Sequence, residues 1–232
     1  MSRGWAAEAA DPRVLDDRTV AELLRGAPWR RVVAVGDSVA AGTREPVDGF
    51  RDVSWIDRVV DGLRVVRGGD VSYVGLGVVG ATAREVRAGQ LAQALAWAPD
   101  LAVVVAGAND LFRGQFDAGA VEREVDVVVR ALRRAGAEVV TTDLVDISRA
   151  PFVPAERKAR FHAGLRAVDD VARRVSRRHG GLHVDLRDHP MAADPSIWAG
   201  DRIHLNARGH AIVGSEAIRR LGDRLRVRAV AA

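Results

Sequence analysis

Short apolar runs alternate with longer stretches of helical pattern along most of the chain. Each apolar run is four to six residues long, nearly continuous, and rich in Val, Ala and Leu. Runs of this kind are typical of parallel strands that are buried on both faces of a sheet. We therefore predict five strands, at residues 31–35, 71–76, 101–106, 137–142 and 182–185.

The segments around these strands carry the start and stop signals of helices. Thr82-Ala-Arg-Glu85 has the spacing of a capping box, and Asn206 is a candidate N-cap for the last helical stretch. Gly136 and Gly180 stand where helices are expected to end. The predicted helices cover residues 53–66, 83–97, 118–135, 155–178 and 207–221, with a short one at about 17–25.

Five β-α repeats in one run predict a doubly wound, three-layer α/β/α fold with a five-stranded parallel sheet. We expect residues 29–232 to form one catalytic domain. Residues 1–28 are expected to form an N-terminal extension with a short helix, either packed on the body or partly mobile. Ligands of such sheets bind beyond the carboxyl ends of the strands, so the chemistry is expected after residues 35, 76 and 106 and near the last strand.

Composition and charge narrow the class of protein. The chain has 35 cationic and 31 acidic residues, a net charge of +4, and Lys158 is its single lysine. The arginines are interspersed with acids, which favours a solvated mixed surface over a nucleic-acid-binding stripe. The absence of cysteine excludes disulfides, thiolate metal sites and a cysteine nucleophile. No signal peptide or membrane span is recognisable, so we expect a cytoplasmic protein with no membrane partner.

Gly36-Asp37-Ser38 follows the first predicted strand. Ser38 is expected at a strand-to-helix turn, where the N–H groups of a helix start can stabilise an oxyanion next to a serine nucleophile. The alternative is an ordinary Gly-Asp-Ser turn in which Asp37 or Ser38 only caps the next helix.

Three glycines follow the second predicted strand, at Gly75, Gly77 and Gly80. They fit the G-x-G-x-x-G fingerprint of a dinucleotide site. The fingerprint is on the second strand and lacks the acidic residue that such sites carry about 20 residues further on, which counts against a nucleotide. The alternative is that Gly80, without a Cβ, lets its backbone N–H approach a substrate oxygen.

Asn109 comes directly after the third strand, within Gly107-Ala-Asn109-Asp110. An Asn amide at this edge can donate a hydrogen bond to an oxyanion. An Asn-Asp turn that leads into a helix is the alternative interpretation.

Asp201 and His204 follow the last strand with a spacing of three residues. A carboxylate at this distance can hold the imidazole through Nδ1, so that Nε2 accepts a proton from a serine. Alternatively, the two side chains form a surface pair beside the last helix. The order Ser, Asp, His and the common edge of the sheet together favour acyl-transfer chemistry over these separate alternatives.

These four blocks resemble those of the SGNH (GDSL-type) hydrolase family, over about residues 30–222. The resemblance implies that Ser38 is the nucleophile, His204 the general base and Asp201 its orienting carboxylate. It implies an oxyanion hole formed by the backbone of Ser38, the backbone of Gly80 and the side chain of Asn109. It also implies a flavodoxin-like sheet and a mechanism that needs no metal and no cofactor.

One departure from the family pattern is visible in the second block. The family often has Asn ahead of the block's glycine, and Gly75 stands at that place here. The departure affects a supporting hydrogen bond and leaves the catalytic set intact.

The resulting hypothesis is a serine esterase that hydrolyses acyl esters of small or medium soluble substrates through an acyl-Ser38 intermediate. An acyltransferase with the same residues, a non-catalytic module and a nucleotide-binding module are the alternatives. Trp198 is a candidate for lining the substrate pocket or for packing the last loop. Arg113 is a candidate for binding a substrate anion or an exposed helix residue. The sequence leaves the acyl chain length and the oligomeric state open.

Overall fold

The computed structural model of the chain describes residues 3–114 and 116–231. It contains the five parallel strands that the apolar runs predict, in the spatial order β2-β1-β3-β4-β5. The strands are β1 (Arg31–Gly36), β2 (Ser72–Gly75), β3 (Leu101–Val105), β4 (Glu138–Thr142) and β5 (Leu182–Val184). This order is the flavodoxin-like one, and it confirms the predicted α/β class.

The central strands show why their sequences are almost continuously apolar. All five residues of β3 and of β4 are buried, as are the last five of β1. β1 and β3 lie in register from Val32 opposite Leu101 to Gly36 opposite Val105. Strands covered on both faces have no solvent side, and therefore no polar alternation.

The helices follow the predicted pattern closely, and their ends differ most at the C-terminus. They are α1 (Ala6–Ala10), α2 (Asp17–Leu23), α3 (Trp55–Val66), α4 (Ala83–Ala96), α5 (Ala108–Phe112), α6 (Ala118–Arg134), α7 (Ala155–Arg178) and α8 (Ala207–Ala231). The short helices α1 and α5 were not predicted. α8 extends beyond the predicted end at residue 221. Gly222 does not take the positive φ of a helix stop, and the Arg and Ala residues that follow it favour helix.

The local helix signals are confirmed. Thr82 and Glu85 form a reciprocal capping box at the start of α4. The Asn206 side chain accepts hydrogen bonds from the backbone N–H of Arg208 and Gly209 at the start of α8. Gly136 and Gly180 follow the ends of α6 and α7 with φ angles of +94° and +63°, a region that glycine adopts without steric cost.

The chain divides into two compact units. Unit 1 comprises the described residues up to Arg30, residues Gly42–Ser72 and the described residues from Ser196, and it contains α1, α2, α3 and α8. Unit 2 comprises Arg31–Ala41 and the described residues of Tyr73–Pro195. Unit 2 contains α4 to α7 and the sheet, except for the first residue of β2.

The N-terminal segment is packed within unit 1. Glu8 is buried and accepts hydrogen bonds from the guanidinium groups of Arg51 and Arg58 at 2.7–2.9 Å. Burial alone raises the pKa of Glu8, but the two arginines and a backbone N–H outweigh it and lower the pKa to about 2. Glu8 thus joins the N-terminal segment to Arg51 and Arg58 within unit 1, and the predicted extension at residues 1–28 stays a prediction. Among the described residues, no helix combines the length and apolar character that crossing a bilayer requires.

Candidate active site

Ser38 lies in a turn directly after β1, at the carboxyl end of the strand. Ser38 is 8% exposed, and Asp37 is fully buried. The Asp37 carboxylate accepts a hydrogen bond from the Val39 N–H at 3.0 Å, and the Ala41 N–H donates to the Asp37 carbonyl at 2.9 Å. The predicted helix start behind Ser38 is wrong: residues 38–42 form a turn, and the next helix begins at Trp55. The segment between them is polar and contains Pro46 and Gly49, which do not support a helix.

A buried glutamine, Gln90 on α4, holds the end of β1 in place. Its Oε1 accepts from the Gly36 N–H at 2.7 Å, and its Nε2 donates to the Gly36 carbonyl at 2.9 Å. A Cβ at Gly36 would lie 2.0 Å from the Val105 carbonyl oxygen. The last residue of β1 therefore has to be glycine, and the position of the following turn depends on Gln90.

The loop after β2 packs directly on the Ser38 turn. A Cβ at Gly77 would lie 2.4 Å from the backbone nitrogen of Ala41, so the two backbones touch. Gly80 has a φ of +81°, and its carbonyl accepts a hydrogen bond from Arg113 at 2.7 Å. Arg113 also contacts Glu85, at 3.4 Å. The guanidinium of Arg113 thus holds the Gly80 loop, while its predicted role in binding a substrate anion stays a prediction.

Asn109 lies on α5, just past the carboxyl end of β3. Its amide Nδ2 donates to the Ala81 carbonyl at 3.1 Å. The neighbouring Asp110 accepts from the Ala83 N–H at 2.9 Å and thereby caps α4. Both side chains tie α5 to the loop that carries Gly80, and the Asn109 amide has a second N–H with which it can donate to a ligand.

Ser38, Gly80 and Asn109 follow three neighbouring strands, β1, β2 and β3. The carboxyl ends of parallel strands share one edge of the sheet, so unit 2 brings these residues to the same edge. This is the place where the strand order reverses and where such sheets bind ligands.

Asp201 and His204 form a hydrogen-bonded pair in unit 1. The His204 Nδ1 lies 2.6 Å from one Asp201 oxygen, and the other oxygen accepts from the backbone N–H groups of Ile203 and His204 at 2.9 and 3.0 Å. Partial burial raises the pKa of Asp201, but the hydrogen bonds from His204 and the backbone outweigh it and lower the pKa below its usual value. Asp201 is therefore a carboxylate at neutral pH, and it selects the tautomer in which Nε2 is the basic nitrogen of His204.

The loop that carries this pair is closed at both ends. Trp198 and Leu205 form an antiparallel bridge, and the Ala199 N–H donates to the His204 carbonyl at 2.8 Å. Glu45, which precedes this loop by about 155 positions, also holds it in place. Its carboxylate accepts a hydrogen bond from the Gly200 N–H, and its backbone carbonyl accepts one from the Ala207 N–H. The pair is thus placed by backbone contacts, and the sequence carries no signal for the role of Glu45.

A match to a known protein family identifies the class of protein to which this chain belongs. Residues 34–212 match the GDSL-like Lipase/Acylhydrolase family, a stretch that includes the Ser38 turn and the His204 loop. The chain belongs to this family. The predicted resemblance is thereby confirmed, and the GDSL-family chain is a hydrolase of carboxylic esters.

Solved structures share the fold of this GDSL-family hydrolase. The psychrotrophic esterase EstA from Pseudoalteromonas sp. is 14% identical, with a TM-score of 0.63 over 84% of this chain and 98% of its own. A catalytic mutant of Axe2, an acetylxylan esterase from Geobacillus stearothermophilus, is 17% identical, with a TM-score of 0.68 over 85% and 95%. LAE5, an α/β hydrolase from the metagenome of Lake Arreo, Spain, is 21% identical, with a TM-score of 0.67 over 85% and 96%. No curated protein matches the sequence significantly.

Trp198 is largely buried in the GDSL-family hydrolase, and its backbone is fixed. Its carbonyl accepts from the Asn206 side chain at 3.1 Å, beside the bridge to Leu205. These contacts fit the interpretation that Trp198 packs the last loop, and its role in lining the substrate pocket stays a prediction.

Unit 2 also contains a second group of Ser, Asp and His side chains, at Ser148, Asp146 and His162. Here the serine donates to the aspartate at 2.5 Å instead of to the histidine. The His162 Nδ1 contacts Asp146 at 2.7 Å, and its Nε2 accepts from Arg166 at 2.9 Å. Because neither ring nitrogen faces the serine, this group lacks the arrangement that activates a nucleophile.

His210, one turn into α8, is buried in the neutral form. Its Nδ1 accepts from the Trp55 N–H at 3.0 Å, and its Nε2 lies 3.1 Å from the Thr43 carbonyl, to which it donates. Burial, together with nearby positive charges on Arg44 and Arg58, lowers its pKa to about 4. His210 therefore joins α8, α3 and the Thr43 segment within unit 1, and it does so only while it is uncharged.

We expect acid to weaken the fold through His210. A histidine with a lowered pKa in the folded state contributes stability above its unfolded value of 6.5, and that stability is lost as the pH falls from 6.5 towards 4. We expect the free energy of unfolding to fall by about 3 kcal/mol across this range through His210, and urea denaturation at each pH measures the change. His210→Gln, which does not titrate, is expected to show a smaller decline between pH 6.5 and 4. An equal decline in both proteins would contradict the role of His210.

Proposed function

We propose that this hydrolase is a serine esterase in which Ser38 Oγ attacks the ester carbonyl. The proposal is carried by the 2.6 Å contact between Asp201 and His204 Nδ1, which makes Nε2 the nitrogen that takes a proton. Ser38 supports it by lying in a glycine-flanked turn at the edge where this class of sheet binds ligands. The chain order Ser, Asp, His and the family match over all three residues support it further.

In the first step, His204 removes the proton of Ser38 while the Oγ–C bond forms, and Asp201 stabilises the imidazolium. The tetrahedral intermediate then collapses, His204 gives its proton to the leaving alcohol, and an acyl-Ser38 ester remains. A water molecule, deprotonated by His204, hydrolyses this ester and restores the serine.

The negative charge on the intermediate's oxygen requires donors that are already in position. We assign this role to the backbone N–H groups of Ser38 and Gly80 and to the second amide N–H of Asn109. The contacts of Asn109 with Ala81 and of Arg113 with the Gly80 carbonyl support the assignment, because they restrain both donors before a substrate binds.

The substrate we propose is a small or medium-sized soluble ester, with no metal or cofactor in the reaction. The two esterases among the similar structures agree with ester hydrolysis. The single catalytic domain at residues 29–232, the cytoplasmic location and the absence of a nucleic-acid partner stay predictions from the sequence.

Labelling with a fluorophosphonate probe tests the proposed nucleophile. An activated serine displaces fluoride from the probe, so intact-protein mass spectrometry is expected to show one added phosphonyl group, mapped to the peptide that contains Ser38. His204→Ala is expected to slow labelling strongly, because the base is lost while the serine remains. Rapid ester turnover with no label on Ser38 would refute the proposal.

A further inference from the structure

An apolar groove of about 220 Å³ adjoins Gly80 on the surface of unit 2. We call it the Val79 groove; Val78, Val79, Gly80 and Ala81 form part of its wall. Val78 and Val79 are 56% and 65% exposed, which leaves two branched apolar side chains in water beside the proposed oxyanion donor. An apolar substituent of a ligand bound here could bury this exposed surface.

Exposed apolar residues are concentrated next to the proposed catalytic blocks. Seven large hydrophobic residues are exposed within the described part of the chain. Val78 and Val79 precede Gly80, Phe112 comes three residues after Asn109, and Ile203 precedes His204. Four of the seven therefore lie within three residues of proposed site residues in the sequence.

The polar side chains that line the Val79 groove are already engaged within the protein. Both ends of the Gln90 amide bond to Gly36, and the Glu85 carboxylate caps α4. Arg113 donates to the Gly80 carbonyl and faces Glu85, so the pair adds no net charge. Arg113 and Glu85 are each more than half exposed and are paired with one another, so the part of the lining that an occupant would desolvate is mainly apolar.

A carbohydrate is a poor fit for the same wall. Trp29 and Trp55 are buried in unit 1, and no tryptophan or tyrosine lines the Val79 groove. The described lining of the groove therefore offers no aromatic face on which a sugar ring can stack. The acetylxylan esterase of the same fold is named for an acetyl ester, whose acyl group would leave most of this groove empty.

We propose that the Val79 groove binds an apolar acyl chain of the ester substrate, an inference that rests on the proposed function. The groove adjoins Gly80, whose backbone N–H is the proposed donor to the carbonyl oxygen, so a substituent of the carbonyl carbon lies within reach of it. The acyl chain is the substituent whose apolar character fits this lining. A 150 Å³ cavity holds benzene, so 220 Å³ accommodates a chain of about six to eight carbons.

A series of p-nitrophenyl esters from acetate to decanoate tests this assignment. Each methylene buried in the groove is expected to raise kcat/KM about fourfold, up to about six to eight carbons, and longer chains add nothing. A wild-type enzyme that prefers acetate would overturn the inference. So would one that discriminates acetate esters by the length of the alcohol instead, or one that prefers acetylated xylo-oligosaccharides.

Substitutions at Val79 test whether this groove causes the preference. Val79→Ser is expected to lower the ratio of the hexanoate to the acetate kcat/KM several-fold, and Val79→Phe is expected to move the optimum to shorter chains because it fills the groove. Val227→Ser is the matched control, since Val227 is 64% exposed at the far end of α8. An unchanged ratio in both Val79 variants would overturn the inference. If the wild-type enzyme hydrolyses none of these esters, or hydrolyses them equally well without Ser38, the proposed function itself is refuted.

Discussion

Ser38→Ala is expected to lower kcat for ester hydrolysis by on the order of 10⁴ to 10⁶. Alanine removes the only atom that can form the acyl-enzyme, while the proposed oxyanion donors and the Asp201–His204 pair stay in place. The remaining rate then comes from water that attacks a bound and polarised ester. Because the hydroxyl is the only group lost, KM is expected to change far less than kcat. Steady-state kinetics on a p-nitrophenyl ester measure both constants.

Ser148→Ala is the matched control for this experiment. Ser148 is as buried as Ser38 and also lies near an aspartate and a histidine, but its hydroxyl is bonded to Asp146 and not to the imidazole. We expect this variant to keep the wild-type kcat. A Ser38→Ala enzyme that loses less than tenfold, or a Ser148→Ala enzyme that loses as much as Ser38→Ala, would assign the nucleophile to another residue.

Asp201→Asn is expected to lower kcat by about 10⁴, with little change in the fold. The Asn oxygen can still accept the two backbone N–H groups that Asp201 binds. Its NH₂ group then faces the His204 Nδ1 and makes that nitrogen the acceptor, so Nε2 carries the proton and no longer serves as the base. The kcat measured across a pH range, together with circular dichroism, separates this loss from unfolding.

Asp223→Asn is the control for the second prediction. Asp223 is 49% exposed, against 48% for Asp201, and it is likewise paired with a residue three positions further along the chain, Arg226. An exposed ion pair of this kind contributes little to stability, so kcat is expected to stay at the wild-type value. If Asp201→Asn lowers kcat no more than Asp223→Asn does, Asp201 does not orient the base.

The strands and the long helices were predictable because each depends on a local pattern. Five Val-rich runs correspond to the five strands, and the helix ends marked by Thr82, Asn206, Gly136 and Gly180 lie where those residues indicate. The prediction of a helix start directly after Ser38 was wrong because it depended on more than the local pattern. A glycine-rich block has the same residue pattern whether a helix or a turn follows it. The polar segment that comes next in the chain determines which of the two forms.

The candidate site was predictable as a set of residue types at the carboxyl ends of strands. The residues that hold this site in place were not predictable from the sequence. Gln90 lies 54 positions from Gly36, and Glu45 lies 155 positions from Gly200. Neither has a sequence signal, because a buried amide or carboxylate that bonds to a distant backbone looks like any helix or loop residue. Arg113 was predicted as a candidate ligand for a substrate anion, and its contact with the Gly80 carbonyl shows that it also holds the loop.

The sequence by itself determined the α/β class, the strand positions and the family, since periodicity, helix caps and spaced motifs are properties of neighbouring residues. The tertiary structure alone decided that Gln90 clamps the end of β1, that Gly77 touches the Ser38 turn, and that His210 is buried and neutral. It also decided that Val78 and Val79 remain exposed beside Gly80. Burial and hydrogen bonding between distant segments depend on how the chain returns to itself, and local pattern carries no information about that.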